Sequence, residues 1–565
     1  MAKRAGPKYI FVSGGVISGI GKGITTASLS TILQSKGYKV SPVKIDMYLN
    51  IDAGTIRPQE HGEVFVTDDG IETDQDLGHY ERFLDVSLAR ANYITTGQVY
   101  QAVLNKERAF EYDGEDVEAI PHITDEIIHR IKEAGRSRDA DFVLIELGGT
   151  VGEYQNMLFF EASRIMELKN PGNTMHVHVA YLPIPDHLGE MKSKPVQQSV
   201  RVLNSLGIQP NIVIGRAKLP MDRRRKERLA LFCNVAGVDV ISNPDVDTIY
   251  RVPQVLDAQN IGQQILKKFN LPEAKKDLRE WKNLLSKIES VNKELRIAVV
   301  GKYFATGDFK LEDVYVSVIE AIKHAAWNNN TKARLFWIDS EDFERGKSIE
   351  QTLKNIDGIV VPGGFGGRGV DGVLETIKYA RQAKLPFFGL CYCMQLATVE
   401  FARNAADLNK AHTTEVDPKT LYPVIDIMPQ QEKLLMGREY GGTMRLGAFP
   451  CKIKEGTIAR RAYSAGQISE RHRHRYEFNN EYRQTLEKAG LVISGTSLNG
   501  RLVEMIELPN HPFFIGTQFH PEFKSRPLKP HPLYDEFIKA CLNNSANPTK
   551  VVSAINSKAI VEEPN

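Results

Sequence analysis

Apolar segments in the first half of the chain alternate with stretches of helical periodicity, and this alternation constrains the fold more than any other feature. The segments are YIFVSGG, FVLIELGG, MHVHVAYLPI and NIVIGRA. Continuous apolar strands separated by helices are typical of a parallel sheet, because such strands are buried on both faces and are joined by helical crossovers. The alternation resumes further on with LRIAVVGKY, GIVVPGG and LPFFGLC. The sequence therefore predicts an α/β protein with two doubly wound domains, both built on mainly parallel sheets.

A charged stretch separates the two regions of alternation. LPEAKKDLREWKNLLSKIESVNKE (271–294) carries its apolar residues at helical spacing, which predicts a linker helix. We therefore predict a first domain over residues 1–270 and a second over 295–545, in a chain of 565 residues that is long enough for at least two cores. The polar end of the chain (546–565) predicts a disordered tail.

Composition excludes several classes of protein. The formal net charge is only +2, so no general attraction to nucleic acid or to an anionic membrane is expected. The five cysteines form no CxxC pair, which is typical of a reducing compartment. The N-terminus lacks the apolar stretch of a secretory signal, and no uninterrupted apolar run reaches the roughly 18 residues of a membrane helix. These observations predict a cytoplasmic enzyme with small-molecule substrates.

A cysteine at the end of an apolar run is followed, about 130 residues later, by a histidine and a glutamate. Cys391 ends FFGLC, and His520 and Glu522 alternate in GTQFHPEF. A thiol needs a base to become a thiolate, and the base needs a partner that fixes its orientation. The glycine-rich PGGFGGRG (362–369) offers amides that could stabilise an oxyanion. Each piece alone fits an ordinary buried cysteine, histidine or loop, but the ordered set predicts a catalytic triad.

The chain begins with a second signal, an apolar strand that runs into a glycine-rich loop ending in lysine, KYIFVSGGVISGIGKG (8–23). Backbone amides of such a loop bind phosphates, and the lysine neutralises their charge. The spacing differs from the standard nucleotide loop, because five residues separate Gly15 from Gly21 and Lys22, and Gly23 takes the place of the hydroxyl residue. The motif predicts a phosphate site, with a structural glycine turn as the alternative.

Two acidic residues are candidate metal ligands. Glu146 follows the apolar run DFVLI and should lie at the carboxyl edge of the sheet, where open α/β sheets bind ligands. Asp74 lies among several carboxylates in IETDQDLGHYERF. A magnesium–nucleotide complex needs only one or two protein carboxylates, because phosphates and waters complete the octahedron. A solvated loop acid is the alternative for Asp74.

Nine segments in collinear order resemble CTP synthases over nearly the whole chain. They are IFVSGGVISGIGKG, KIDMYLNIDAGT, EHGEVFVTDDGIETDQDLGHYERF, PHIT, ELGGTVG, LFCNV, GGTMRLG, ERHRHRYE and QFHPE. The resemblance implies a P-loop-like synthetase domain followed by a class I glutaminase domain. It also implies ATP-dependent amination of UTP at the uracil 4-carbonyl, with ammonia from L-glutamine. Mg²⁺, GTP as an allosteric activator bound near GGTMRLG (441–447), and a homotetramer that could form filaments are further implications.

The resemblance also assigns residues to these ligands. In the glutaminase domain, Cys391 is the nucleophile, His520 the base and Glu522 its orienting partner. Glutamine is assigned to Gly364, Glu415 and Arg475, the arginine pairing with the substrate carboxylate. ATP is assigned to Ser18, Gly19, Ile20, Gly21, Lys22, Gly23, Lys44 and Asp74, and Mg²⁺ to Asp74 and Glu146. UTP or CTP is assigned to Ser18, Glu153, Gln155, Lys192, Gln197 and Arg228. Arg228 stands where family members commonly have lysine.

Other departures fall on the nucleoside side. Relatives read roughly GDYLGxTVQ where this chain has FEYDGEDVE (110–118), so Glu118 replaces a glutamine, and an ionised glutamate can only accept hydrogen bonds. Relatives read GGTVGDIES where this chain has GGTVGEYQN, which places Glu153, Gln155 and Asn156 in a region that lines the pyrimidine or feedback-CTP pocket of the family. Cys393 replaces the glycine of CxGMQ and is a second candidate nucleophile.

These departures leave two alternative functions open. The first is a glutamine-dependent ligase that acts on a modified uridine nucleotide or a related carbonyl. The second is a non-catalytic relative that serves as a nucleotide sensor or filament subunit. The intact triad, together with Lys22, Lys44, Asp74 and Glu146, favours an enzyme.

Overall fold

A computed structural model describes residues 6–272, 278–302, 305–306, 309–310, 312–437 and 440–546. Within these ranges, no helix has both the length and the apolar character needed to cross a bilayer. The strands are β1 (Lys8–Gly15), β2 (Val40–Asp46), β3 (Phe65–Val66), β4 (Glu72–Thr73), β5 (Tyr93–Thr95), β6 (Phe142–Leu147), β7 (Thr174–Tyr181), β8 (Ile212–Ala217), β9 (Val240–Pro244), β10 (Glu294–Gly301), β11 (Ala305–Thr306), β12 (Phe309–Lys310), β13 (Lys332–Asp339), β14 (Gly358–Val361), β15 (Phe387–Leu390), β16 (Ala411–Thr413), β17 (Tyr422–Ile427), β18 (Arg445–Ile453), β19 (Gln467–His474), β20 (Tyr476–Phe478), β21 (Val492–Ser497), β22 (Val503–Glu507) and β23 (Phe514–Thr517).

Helices connect most of these strands. In chain order they are α1 (Lys22–Ser35), α2 (Pro58–His61), α3 (Gln75–Leu84), α4 (Thr96–Arg108), α5 (Thr124–Arg136), α6 (Met157–Lys169), α7 (Lys194–Ser205), α8 (Arg223–Cys233), α9 (Val252–Asp257), α10 (Ile261–Lys268), α11 (Arg279–Ser290), α12 (Val316–Asn328), α13 (Ser340–Glu344), α14 (Ile349–Leu353), α15 (Val370–Gln382), α16 (Tyr392–Ala405), α17 (Pro429–Met436), α18 (Ile458–Tyr463), α19 (Arg483–Lys488) and α20 (Pro532–Ser545).

The chain packs as two compact units. The N-terminal unit contains residues up to Ala53 together with Asp76–Leu285, and the C-terminal unit contains Gly54–Gln75 together with the residues from Ser286 onward. The domain boundaries at residues 270 and 295 remain a prediction. The structure adds a feature that the sequence analysis did not foresee, because the segment Gly54–Gln75 packs with the C-terminal unit although it lies early in the chain.

A parallel sheet forms the centre of the N-terminal unit. Its strand order is β5-β2-β6-β1-β7-β8-β9, and every neighbouring pair is parallel. The apolar runs predicted to be buried strands are its central members, and Ile10, Phe11 and Val12 of β1 are fully buried. Because parallel strands end at one edge, the loops after β1, β2 and β6 meet there. This arrangement brings the glycine-rich loop, Lys44 and Glu146 together.

The C-terminal unit contains a mixed nine-stranded sheet. Its order is β13-β10-β14-β15-β23-β22-β21-β18-β19, with parallel pairing from β13 to β23 and antiparallel pairing from β23 to β19. The two strands that precede Cys391 and His520 are parallel neighbours, and Leu390 is paired with Thr517. Both residues therefore emerge at the same edge of this sheet. The predicted fold class, two α/β units with mainly parallel sheets, is confirmed.

The segment Gly54–Gln75 is held in the C-terminal unit by charged and aromatic contacts. Nε of Arg471 donates to Oδ1 of Asp68 at 2.6 Å, and Nε of Arg473 donates to Oε1 of Glu72 at 2.7 Å. The Phe65 ring packs against the Phe523 ring with centroids 5.0 Å apart. Both arginine side chains are largely buried, so these charge-assisted hydrogen bonds are stronger than surface pairs.

The predicted linker region contains helix α11, which is amphipathic. Its Trp281 packs against Phe83 and Tyr250, with ring centroids 5.2 and 5.7 Å apart. Residues 273–277 of the predicted linker lie outside the described residues. The predicted tail, apart from residue 546, also lies outside them.

Candidate active sites

Cys391 lies at a sharp turn between β15 and α16, as the sequence predicts for a nucleophile. Its backbone has φ 48° and ψ −102°, a conformation that L-residues rarely adopt and that marks functional turns when the surrounding structure enforces it. The enforcing contact is a backbone hydrogen bond from Cys391 N to Thr517 O at 2.6 Å. The turn presents the thiol at the N-terminus of a helix whose residues are largely buried.

His520 and Glu522 form a buried hydrogen-bonded pair. Nδ1 of His520 lies 2.7 Å from Oε1 of Glu522. Burial alone would lower the pKa of His520, but the carboxylate of Glu522 and the charge of Cys391 outweigh it and raise this pKa to about 10. The histidine is therefore protonated at neutral pH, which suits a cysteinate–imidazolium pair. The structure thus brings together all three predicted triad residues.

The glycine-rich turn after β14 lies directly against the triad. A Cβ atom at Gly363 would approach Cε1 of His520 to 2.9 Å, so a side chain there would displace the histidine. Gly363 and Gly364 line a cavity of about 340 Å³ together with Cys391 and Arg475. Its walls also include Gly54 and Val64 of the Gly54–Gln75 segment. A small substrate could therefore reach the thiol beside the turn amides.

The predicted glutamine-binding residues separate into two groups. Gly364 and Arg475 line the cavity that contains Cys391, whereas Glu415 is not among its lining residues. Oε1 of Glu415 instead accepts a hydrogen bond from Gly366 N at 2.7 Å and so fixes the glycine-rich turn. Arg475 donates to Tyr440 O at 2.7 Å and to Oγ1 of Thr443 at 2.9 Å. Its guanidinium is thus positioned by the segment that the resemblance associates with GTP.

Lys302 is a polar residue of this region that sequence reasoning missed. Its Nζ donates to Gly366 O at 2.7 Å and lies 4.4 Å from the centroid of the Tyr392 ring. Burial lowers the pKa of Lys302 to about 8, against the opposing charge of Glu415. The signal was available, because this lysine directly follows the apolar strand β10 in VVGKY, at the carboxyl edge of the sheet.

The Glu522–His520 pair gives a testable pH dependence. In Glu522→Gln the carboxylate that raises the His520 pKa is absent, so the histidine loses its proton at a lower pH. We expect the high-pH limb of glutamine hydrolysis to move to lower pH and kcat to fall roughly 10²- to 10⁴-fold, as with other orienting carboxylates. Initial rates of ammonia release across a pH series measure both effects.

Glu470→Gln is a matched control for that prediction. Glu470 also forms a buried pair with a histidine, Oε1 to Nε2 of His531 at 3.0 Å, away from the nucleophile. We expect the control to keep the wild-type high-pH limb. A limb that stays in place in Glu522→Gln would contradict the role of this carboxylate.

The glycine-rich loop of the N-terminal unit ends at the first helix, as predicted. Lys22 is the first residue of α1, and Gly21 before it has a positive φ of 81°. Nζ of Lys22 donates to Gly149 O at 2.8 Å. Ser18 and Gly19 are exposed at the tip of the loop, whereas Ile20 is buried. A Cβ atom at Gly23 would lie 1.9 Å from Oδ1 of Asp76, which explains why glycine replaces the hydroxyl residue here.

Lys44 is surrounded by carboxylates. Its Nζ lies 3.2 Å from Oε1 of Glu146 and contacts the Asp76 carboxylate. Oε2 of Glu146 accepts a hydrogen bond from the phenol of Tyr80. Burial lowers the pKa of Lys22, and the negative charge of Glu146 opposes this. Asp76 and Tyr80 were not predicted, although both belong to the acidic segment that contains Asp74.

Asp74 lies at the end of the Gly54–Gln75 segment, in the C-terminal unit. It is buried, and its Oδ2 lies 3.0 Å from Nδ1 of His61. It is therefore not the solvated loop acid considered as its alternative. A joint metal site of Asp74 and Glu146 remains a prediction.

Only some of the predicted UTP residues around α7 and α8 line a common basic cavity. Lys192 and Arg228 line a cavity of about 600 Å³, to which Arg224 and Arg225 also contribute. Gln197 is buried in α7 and is not among the lining residues; its Nε2 donates to Oγ of Ser193 at 3.1 Å. The clustered positive charge suits a polyphosphate, since arginine and lysine form charge-assisted hydrogen bonds with phosphate oxygens.

The residues that depart from the family pattern differ from one another in burial and in contacts. Oε1 of Glu153 accepts a hydrogen bond from Thr150 N at 2.6 Å, and Nδ2 of the buried Asn156 donates to Thr150 O at 2.8 Å. These two residues therefore stabilise the turn that contacts Lys22 through Gly149. The side chains of Gln155 and Glu118 are exposed.

Cys393 is fully buried in α16. Burial raises the pKa of its thiol, which makes it a poor nucleophile.

Comparison with known proteins gives a consistent result over both units. Residues 8–271 match the family model described as CTP synthase N-terminus, and residues 310–540 match that of glutamine amidotransferase class-I. The chain is 49% identical over 541 residues to a CTP synthase of Caldanaerobacter subterraneus subsp. tengcongensis, which covers 96% of this chain and 99% of the relative. It is also 49% identical over 536 residues to a CTP synthase of Geobacillus kaustophilus, covering 95% and 99%. A solved Trypanosoma brucei CTPS glutaminase domain with bound acivicin is 37% identical, with a TM-score of 0.40, and covers 44% of this chain and 94% of that chain.

Proposed function

The chain belongs to the CTP synthase family, and we propose that it converts UTP to CTP with ATP and with ammonia taken from L-glutamine. The observation that carries this proposal is the Cys391 turn, with the His520–Glu522 pair beside it, in a chain whose other unit has a glycine-rich loop that ends at Lys22. The first site would release ammonia, and the second would activate the acceptor carbonyl.

In the glutaminase reaction we assign Cys391 as the nucleophile. The thiolate attacks the side-chain amide of glutamine, and the Gly363–Gly364 amides stabilise the oxyanion. His520 donates its proton to the leaving ammonia, and Glu522 holds the imidazole through Nδ1. Water then releases glutamate from the thioester. Arg475 would bind the carboxylate of the substrate, and Glu415 would act by fixing the turn.

In the synthetase reaction we assign Lys22 and Lys44 to the phosphates of ATP. The terminal phosphoryl group passes to the uracil 4-oxygen, which converts a poor leaving group into phosphate, and ammonia displaces it. The loop amides between Ser18 and Gly23 would bind the phosphates at the N-terminus of α1. Lys192 and Arg228 would bind the UTP triphosphate through their basic cavity.

Carboxylates near Lys44 suit a magnesium ion, because Mg²⁺ prefers hard oxygen ligands. Glu146 and Asp74 are both buried carboxylates, and their oxygens fit that ion. We propose Glu146 and Asp74 as its protein ligands. When bound, Mg²⁺ would neutralise phosphate charge during the transfer.

The family resemblance supports three further parts of the proposal. GTP would activate glutamine hydrolysis through the segment 441–447, which lies beside the predicted substrate arginine. The enzyme would work in the cytoplasm as a homotetramer that could form filaments. A mass of one chain by light scattering, with ATP and UTP saturating and activity intact, would contradict the tetramer.

One assay distinguishes this function from its alternatives. Purified protein is incubated with ATP, Mg²⁺, glutamine and a panel of uridine nucleotides altered on the base or ribose, and aminated products are separated by chromatography. We expect UTP to be the preferred acceptor and CTP to be the product. Preference for an altered nucleotide would support the modified-uridine alternative, and release of no product from any acceptor would support the sensor.

A further inference from the structure

A buried glutamine contacts the sulfur of Cys391. Nε2 of Gln518 lies 3.6 Å from Sγ, within hydrogen-bonding range for sulfur. Gln518 follows strand β23 and is 1% exposed, so its amide has no access to bulk water. A buried amide of this kind is retained only where its hydrogen bonds are satisfied. Sequence reasoning passed over this residue, although it lies two positions before His520.

The orientation of the Gln518 amide is fixed by a second buried glutamine. Nε2 of Gln395 donates to Tyr476 O at 2.8 Å, which identifies that end of Gln395 as its amino group because the partner is a carbonyl. The same amino group donates to Oε1 of Gln518 at 3.2 Å. The oxygen of Gln518 is thereby occupied, and its NH₂ group must face Sγ. Backbone Gln518 N is also held, by Glu504 O at 2.8 Å.

The two polar contacts of Sγ favour opposite ionisation states. Arg473 O lies 3.6 Å from Sγ and can only accept, so it binds the neutral thiol and repels the thiolate. The Gln518 amide can only donate from this end, and donation to an anion is roughly twice as strong as donation to a neutral group. Together with the protonated His520, the amide therefore favours the anion.

We propose that Gln518 is a further catalytic residue of the glutaminase site, whose side-chain amide stabilises the Cys391 thiolate, with Gln395 as the positioning residue that aims it. The proposal rests on the proposed function, because it assumes that Cys391 is the nucleophile. Its chemical step is the transfer of the thiol proton from Sγ to Nε2 of His520. In this step the S–H bond breaks and an N–H bond forms, and no group is oxidised or reduced.

Alkylation of Cys391 by iodoacetamide across a pH series tests this, since only the thiolate reacts. Alkylation at Cys391 is quantified by tandem mass spectrometry, because fragment ions separate this site from Cys393 on the same peptide, and the other three cysteines lie on other peptides. Gln518→Leu removes the amide donor, and the shorter Gln518→Asn withdraws it from Sγ. We expect the midpoint of alkylation to rise by about one pH unit in each, the size set by one hydrogen bond to a charged group. We also expect the low-pH limb of glutamine-driven CTP synthesis to move to higher pH by the same interval, so that the rate on this limb falls about tenfold at a given pH.

Thr398→Val is a matched control. Its hydroxyl is buried in α16 and donates to Met394 O at 3.1 Å, within the helix. We expect the control to keep the wild-type midpoint. The shorter Gln518→Asn variant decides the matter where the leucine variant fails to fold, as judged by loss of ammonia-driven synthesis. A wild-type midpoint in Gln518→Asn overturns the proposal. A Cys391→Ala variant that still uses glutamine would instead overturn the proposed function beneath it.

Discussion

Replacement of Cys391 by alanine is expected to abolish glutamine-driven CTP synthesis and to leave ammonia-driven synthesis largely intact. In the proposed reaction the Cys391 thiol is the attacking group, and loss of a nucleophile from a triad costs at least about 10³-fold in rate. Free ammonia should bypass this step, because we assign activation of the acceptor to residues of the other unit. The measurement is the rate of CTP formation with glutamine and, separately, with an ammonium salt. Replacing cysteine by alanine changes the backbone strain at this position only slightly, so the turn should persist.

Cys393→Ala is the control that the chain itself offers. This second cysteine lies two residues away in α16, is equally buried, and has a thiol whose pKa is raised by burial. We expect it to retain most glutamine-driven activity. Equal loss in both variants would show that the turn, and not the Cys391 thiol, had been damaged. Loss of the ammonia reaction in Cys391→Ala would contradict the division of labour between the two units.

The sequence was sufficient to place those candidate residues that lie at an element boundary. Cys391, Lys22 and Glu146 each lie at or beside the end of a strongly apolar strand, and parallel strands bring such ends to one edge of a sheet. Their positions follow from the alternation of strands and helices alone. The same reasoning would have found Lys302, which follows β10 in the same way.

Other features depend on contacts that no local pattern encodes. The strands of the Gly54–Gln75 segment, β3 and β4, have two residues each and are too short for periodicity to predict. The segment is fixed by arginines about 400 residues away in the sequence. Gln518 faces Sγ only because β15 and β23 are neighbours and Gln395 occupies its oxygen. The amide of Gly366 engages the carboxylate of Glu415, a contact that depends on how the glycine-rich turn folds.

Lys22→Met should remove both glutamine-driven and ammonia-driven synthesis, because phosphoryl activation precedes every route to CTP. Methionine is similar in length to lysine and fills the space against Gly14, where a Cβ atom would lie 2.7 Å from Cδ of Lys22. The substitution therefore removes the charge and its hydrogen bond to Gly149 O while leaving α1 supported. We expect a loss of roughly 10²- to 10³-fold in kcat, typical for deletion of one preorganised group that stabilises charge in the transition state. The measurement is CTP formation from UTP, ATP and an ammonium salt.

Lys39→Ala controls for a general effect of removing a lysine from this unit. Its Nζ forms an exposed pair with Asp139 at 2.5 Å, and exposed pairs contribute little to stability. Both variants should hydrolyse glutamine, because the triad lies in the other unit. Ammonia-driven synthesis at the wild-type rate in Lys22→Met would show that the glycine-rich loop is a structural turn. Loss of CTP synthesis in Lys22→Met but not in Lys39→Ala would instead support contact between Lys22 and the phosphate that activates the acceptor. No other part of the proposed reaction requires a cation at the start of α1.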